Sequence, residues 1–173
     1  GFEFRVSVEG VDEWHQCKRQ TTHGSWTISG LSSSGVLLSF ASKLSEPNSS
    51  CVLISSDPAP AFERLIEKAL LAETPDDFFG PGGIGKADRT ALAELNKAWP
   101  VGEAVTFSWL RRCRVEVSSN TSLLARLDEL CSLLFRSSPA VVIERLKAFI
   151  LENLGVRLTT EKLTLPVLSV YLS

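Results

Sequence analysis

Apolar and polar residues alternate almost without interruption from Phe2 to Lys18, and the period changes after that. Phe2, Phe4, Val6 and Val8 fall on one side of a two-residue repeat, with Glu3, Arg5, Ser7 and Glu9 on the other, which predicts a strand. Val11 to Lys18 continues the repeat as a second strand, and the short Gly10-Val11 connection predicts a hairpin. From Ile28 the spacing becomes helical: Ile28, Leu31, Gly35, Leu38 and Ser42 recur, with Val36, Leu37, Phe40 and Leu44 beside them and Thr27 as N-cap. Ser32-Ser33-Ser34 weakens the first half, so this helix is expected to break or to start late. Cys51-Val52-Leu53-Ile54-Ser55 is a continuous apolar run between turn residues, the pattern of a buried central strand.

Helical spacing returns at Phe62, Leu65, Ile66, Ala69 and Leu70, giving a helix to about Ala72. Residues 74–86 read as a loop, with Phe78 and Phe79 tucked against the core. A helix from Asp88 to Trp99 follows, closed by Pro100-Val101-Gly102. Ala104 to Leu110 fits either a strand or a short helix, and Val115-Glu116-Val117 reads as a strand. The last third is helical. Ser119 or Asn120 caps a helix carrying Leu123, Leu124, Leu127, Leu130, Cys131 and Leu134. Ser138-Pro139 opens another, with Val142, Ile143, Leu146, Phe149 and Ile150 inward and Gly155 as its stop. Thr160 starts one more turn before Pro166. These broad leucine stripes are expected to serve homo-oligomer assembly. Strands alternating with helices predict an α/β layered domain over residues 1–110, and residues 111–173 a mainly helical extension.

The chemistry concentrates on the second strand, where Asp12, Trp14, Gln16 and Lys18 share one face. Lys18 offers three donors and a point charge; Gln16 offers a carbonyl oxygen to a metal and an amide donor beside it. Side by side, and with a carboxylate near, they can hold a phosphate and a hard divalent cation together. If Glu9 pairs with Asp12, Arg5 lies opposite Gln16 and Glu3 opposite Lys18, so that Glu3, Gln16 and Lys18 share the hairpin's polar, wet face. A slip of one residue would bury them.

Composition narrows the options. The chain has 173 residues, 44% hydrophobic and 22% charged, with a formal net charge of −2. These are the proportions of a globular chain with a sizeable core, and the charge argues against a broad basic nucleic-acid surface. No apolar run reaches the roughly 18 residues of a membrane span. Cys17, Cys51, Cys113 and Cys131 have neither zinc nor compact disulfide spacing, so free thiols in a reducing cytoplasm are expected.

An acid on one strand, a short hairpin and Gln16-x-Lys18 on the next resemble the PD-(D/E)xK nuclease superfamily, in its Mrr-like Gln-x-Lys version. Gln16-Cys17-Lys18-Arg19-Gln20, followed by Gly24-Ser25-Trp26 entering a helix, is similar to the effector nuclease domains of antiphage defence proteins, among them STAND-type NTPases and CBASS-type DNA endonucleases. The resemblance covers residues 1–110. It implies a restriction-endonuclease-like mixed sheet flanked by helices, with a C-terminal helical appendage. It implies Mg²⁺- or Mn²⁺-dependent cleavage of double-stranded DNA, as the effector of an antiviral protein. Glu3, Gln16 and Lys18 become the catalytic group, Glu3, Gln16 and Asp12 the metal ligands. The chain opens on Gly1 inside a strand and lacks methionine, so the family's first helix and strand, with some catalytic acids, are expected upstream, and a regulatory or NTPase domain downstream.

Lys18, Arg19, Arg111, Arg112 and Arg114 are the candidate nucleic-acid contacts; a solvated face or ion pairs with acidic helices is the plainer reading of the three later arginines. Gly80 to Lys86 matches G-x-x-x-x-G-K, but Ala87 follows the lysine and no strand precedes it, so a phosphate loop is rejected. His15, Cys17 and His23 lack a fourth zinc ligand, and no acid or oxyanion donor supports a Cys–His nucleophile. Two rivals to the nuclease are a DNA-binding module with an incomplete site and a helical oligomerisation adaptor.

Overall fold

The computed structural model describes residues 3–8, 10–19, 24–119, 121–122, 125, 127–129, 132 and 138–154. It divides into two compact units, Gly1–Ser118 and Ser119–Ser173.

The first unit is a four-stranded mixed sheet with helices. Strands β1 (Glu3–Val8), β2 (Val11–Lys18), β3 (Ser49–Ser55) and β4 (Cys113–Val117) lie in the order β1-β2-β3-β4. β1 and β2 are antiparallel, whereas β2–β3 and β3–β4 are parallel. Each parallel step needs a crossover, which the intervening helices supply. The expected α/β mixed sheet is present. β4 completes it, within the compact unit Gly1–Ser118.

Between β2 and β3 lie α1 (Ile28–Ser33) and α2 (Val36–Leu44). Thr27 caps α1, its Oγ1 accepting from the Gly30 amide at 3.0 Å. The break falls at Ser34-Gly35, where Gly35 takes a φ of 78° that a side chain would disfavour. Between β3 and β4 lie α3 (Pro60–Leu71), α4 (Pro75–Phe79), α5 (Lys86–Ala98) and α6 (Glu103–Leu110). The expected loop over residues 74–86 therefore contains a helix. Thr74 and Asp77 cap it reciprocally, with Pro75 at its first position. That Thr-Pro-Asp-Asp signature was present in the sequence. Ala104–Leu110 resolves as helix, closing over Phe78 and Trp99 rather than joining the sheet.

The core lies between the helices and one face of the sheet. Cys51, Leu53 and Cys113 project into it from the strands, and Phe40, Phe62, Leu65, Phe78, Leu95 and Trp99 from the helices. Each large apolar side chain removed from water contributes about 1.5–3 kcal/mol. Trp99 is fully buried and its Nε1–H donates to the Leu37 carbonyl at 2.8 Å, tying the end of α5 to α2.

In the second unit, Ser119 Oγ accepts from the Ser122 amide at 3.0 Å, making Ser119 the N-cap. Helix α7 (Pro139–Leu154) starts from Ser138, and Val142 is buried there with Leu127, Ile143 and Leu146 around it. The expected stripe positions Leu123, Leu124, Leu130, Cys131 and Leu134, and the stops at Gly155 and Pro166, lie outside the described residues. No described helix is long and apolar enough to cross a membrane.

Candidate functional site

The hairpin register differs from the expected one. Val8 pairs with Val11, Ser7 with Asp12, Arg5 with Trp14 and Glu3 with Gln16. The turn is one position earlier than expected, with Gly10 at a φ of 83° supplying the bend. Two residues of slip preserve side-chain parity, so Glu3, Gln16 and Lys18 still belong to one face, with Glu3 opposite Gln16 instead of Lys18. The Glu3 side chain and Glu9 lie outside what is described.

Exposure departs from the expectation at Gln16 and at the apolar residues of the other face, although Arg5 and Ser7 stay exposed on Gln16's face and His15 is buried on the other. Phe4, Val6 and Val11 are 43%, 41% and 46% exposed, whereas Gln16 is only 6% exposed. The parallel partners explain it: Trp14, Gln16 and Lys18 are level with Cys51, Leu53 and Ser55, the helix-covered side of β3. Continuity of the sheet carries β2's polar face under α2. The hairpin alone does not reveal this, because its own pattern is amphipathic in either direction.

Gln16 therefore presents a buried amide whose Oε1 has no hydrogen-bond partner among the described residues. Leaving such an oxygen unpaired costs about 1–3 kcal/mol, so its retention needs a reason. It lines a small cavity with Trp14, Ser39, Phe40 and Lys43. Two residues further on, Lys18 is half-buried beside Ser55. Ser55 Oγ accepts from Trp26 Nε1 at 2.8 Å and from the Asp57 amide at 3.1 Å, which pins the end of β3 next to Lys18. Arg19 follows, exposed.

A hard cation prefers oxygen ligands, and Mg²⁺ is commonly held by one or two carboxylates with several waters retained. Gln16 Oε1 offers one such oxygen, with the Glu3 backbone opposite it in the ladder, but the cavity it lines is only about 10 Å³, room for about one water. Among the described residues no group of three or more His, Cys, Asp or Glu side chains gathers to hold a metal, so an ion here would rest on Gln16, Glu3 and water. Asp12 does not join them. It stands four residues back along β2, roughly 13 Å away, where its carboxylate accepts from Ser7 Oγ and from Arg5 at 3.3 Å.

The basic cluster lies at the other end of the sheet, since Cys113 is level with Cys51 and Trp14, and Val117 is level with Ser55 and Lys18. Arg112 donates to the carbonyls of Leu44, Glu46, Ser49 and Ser108, at 2.6, 3.2, 3.1 and 3.4 Å. It ties the exit of α2 to the start of β3 and the end of α6. Arg114 pairs with Glu13 at 3.3 Å and Glu116 at 2.8 Å. Arg111 donates to the Ala72 carbonyl at 3.3 Å and lies over the Phe107 ring. The three therefore do not form one face with Lys18. They line a separate cavity of about 660 Å³, with Ile66, Leu70 and the carboxylates Glu13, Glu63 and Glu67 also in its wall; Gln16 and Lys18 are not part of it.

The remaining thiol and imidazole candidates stay apart from this chemistry. His15 is on the opposite face, stacked on Phe4 at 4.6 Å, and its Nε2 is 2.8 Å from Glu13 without hydrogen-bond alignment. Burial pushes the Cys17 thiol up, and burial, then the neighbouring Cys51, pushes Cys113 well up against a small opposing pull from Arg112. Thiols held protonated are poor nucleophiles. Cys17, Cys51 and Cys113 form no disulfide among the described residues; His23 lies outside the described residues. The glycine-rich stretch follows α4 and leads into α5 with Gly85 as N-cap, so no strand feeds it.

Lys43 is a feature of the site that the sequence did not single out. Its Nζ sits 3.8 Å from the centre of the Trp14 ring, in the last turn of α2. The only available signal was helical phase, which does not identify the strand an exposed-looking lysine folds over.

No protein-family model, curated protein or solved structure matches the chain.

Proposed function

We propose that the Glu3–Gln16–Lys18 face is the catalytic site of a metal-dependent nuclease that hydrolyses phosphodiester bonds in double-stranded DNA. The observation that carries this reading is the buried, unpartnered Oε1 of Gln16, two residues from Lys18 and opposite Glu3. Bound there by Glu3 and Gln16, Mg²⁺ or Mn²⁺ would neutralise phosphate charge and lower the pKa of a water. Gln16, set in the sheet, would hold the ion through its Oε1. Lys18 directs its ammonium at a phosphate oxygen, stabilising negative charge as it develops. The resemblance of Gln16-Cys17-Lys18-Arg19 to effector nucleases of antiphage proteins supports the choice of substrate and a role in defence.

The test is cleavage of linear and supercoiled duplex DNA with Mg²⁺ or Mn²⁺ and with EDTA. Cutting that needs the metal and disappears in Gln16→Ala supports the reading. Metal-dependent DNA binding without cutting would replace it with a binding module on the same residues.

A further inference from the structure

We infer, independently of the nuclease reading, that the outer edge of β4 is a homodimer interface, at which two copies of the chain pair their β4 strands antiparallel about Val115 and join their sheets into one.

β4 is the last strand of the sheet, and among the described residues only its β3 side is paired. On that side the Cys51 amide donates to the Arg112 carbonyl at 2.8 Å, and the Ser118 amide to the Ser55 carbonyl at 2.9 Å. Successive residues of a strand turn their backbone groups to opposite sides, so Arg112, Arg114, Glu116 and Ser118 serve β3. Cys113, Val115 and Val117 therefore turn their N–H and C=O groups outward. Such a row is a template for another strand.

The side chains select the partner and the register. An antiparallel neighbour must set its own outward residues opposite these three. Pairing two copies about Val115 sets Cys113 opposite Val117 and Arg114 opposite Glu116, and the two-fold symmetry of a homodimer makes each pair twice. Moving the centre by one residue sets Arg114 opposite Arg114, or Glu116 opposite Glu116, and like charges directly opposite destabilise. Within one chain Arg114 and Glu116 already meet at 2.8 Å, with Arg114 exposed and Glu116 half-buried, so both charges stand on the surface beside the open edge.

The apolar side agrees. Cys113, Val115 and Val117 share the helix-covered face with Cys51 and Leu53. Leu70 and Leu71, at the end of α3, are exposed, and they line the cavity of about 660 Å³ together with Cys113 and Val115. In the dimer the exposed Val117 of the second copy comes opposite Cys113, at the wall of that cavity, where apolar surface on both sides leaves water.

The test is sedimentation velocity of the full chain over a concentration series. Wild type is expected to dimerise. Arg114→Glu and Glu116→Arg each set like charges opposite at both symmetric pairs, and each is expected to raise the dimer dissociation constant about tenfold or more. Mixed in equal amounts, the two single variants are expected to form a heterodimer, because every facing pair is then opposite in sign. Melting curves accompany each variant; if either melts early, Val115→Pro, which removes an outward N–H and no bond to β3, replaces it and is expected to weaken the dimer as much. A wild type that is monomeric at every concentration overturns the interface. So does a dimer that withstands both charge reversals, or one that is lost in the single variants and does not return when they are mixed.

Discussion

Lys18 and Arg112 are both basic residues at an end of the same sheet, and their surroundings are opposite. Arg112 donates to four backbone carbonyls where three elements meet. Lys18, level with Ser55 at the other end, makes no ion pair or hydrogen bond among the described residues, and two residues away lies an amide oxygen with nothing to accept from among them. The dense run Arg111-Arg112-Cys113-Arg114 is the conspicuous charge in the sequence, yet its charge is used internally. The isolated lysines at 18 and 43, like Arg19, Lys86 and Lys97, make no ion pair among the described residues. Charge density along a chain thus says little about which charges are available.

The contrast can be broken at either end. Arg112→Ala should have the largest effect on stability. It removes a half-buried guanidinium and leaves carbonyls at the exit of α2 without donors. Hydrogen bonds to charged groups are worth about 1.5–3 kcal/mol, and a loss of about 3 kcal/mol is expected in denaturant melts. A silent substitution would return Arg112 to the pool of free cations.

Asp88 sharpens the same distinction. Burial pushes its carboxyl up, but hydrogen bonds and charges from Arg64 and Lys68 outweigh this and hold it below the ordinary carboxylate value. A folded-state value below the unfolded one gives stability that is complete above about pH 4 and disappears as the pH falls through the folded value. Asp88→Asn should cost about 2 kcal/mol at pH 7 and flatten the acid limb of the stability curve. An unchanged acid limb would show that Arg64 and Lys68 are not neutralised by Asp88.

Gln16→Leu should move stability the other way. Replacing an unsatisfied buried oxygen with apolar atoms of similar shape removes a penalty, so a gain of about 1 kcal/mol is expected together with loss of metal-dependent cleavage. A destabilised variant would mean that the Oε1 has a structural partner, and would remove the main support for a metal ligand there.

Much of the fold was legible. Alternation marked β1, the short hairpin connection marked β2 after it, a continuous apolar run marked β3, and Thr27 and the serines before Gly35 marked where α1 starts and stops. Local signals suffice for such features because they depend on neighbours in the chain. The site was legible only as residue types on a face. Its burial depends on which side of β3 the helices cover, a tertiary fact that alternation in a hairpin does not encode. The register depended on a one-position difference in the turn. The uses of Arg112 and Lys43 depend on partners far away in sequence, Leu44 and Trp14, that no spacing rule connects.

Lys18→Ala should have the smallest effect on stability, within about 0.5 kcal/mol, and it tests the central claim most directly. Under the account, the lysine stabilises phosphate charge, a contribution of the kind worth about two to three orders of magnitude in rate. Cleavage of duplex DNA by wild type and Lys18→Ala in Mg²⁺, with superimposable melting curves, should show a loss of that size. Cutting at the wild-type rate by a folded Lys18→Ala protein would contradict the account, because Lys18 is the cation two residues from Gln16 on the same face of β2.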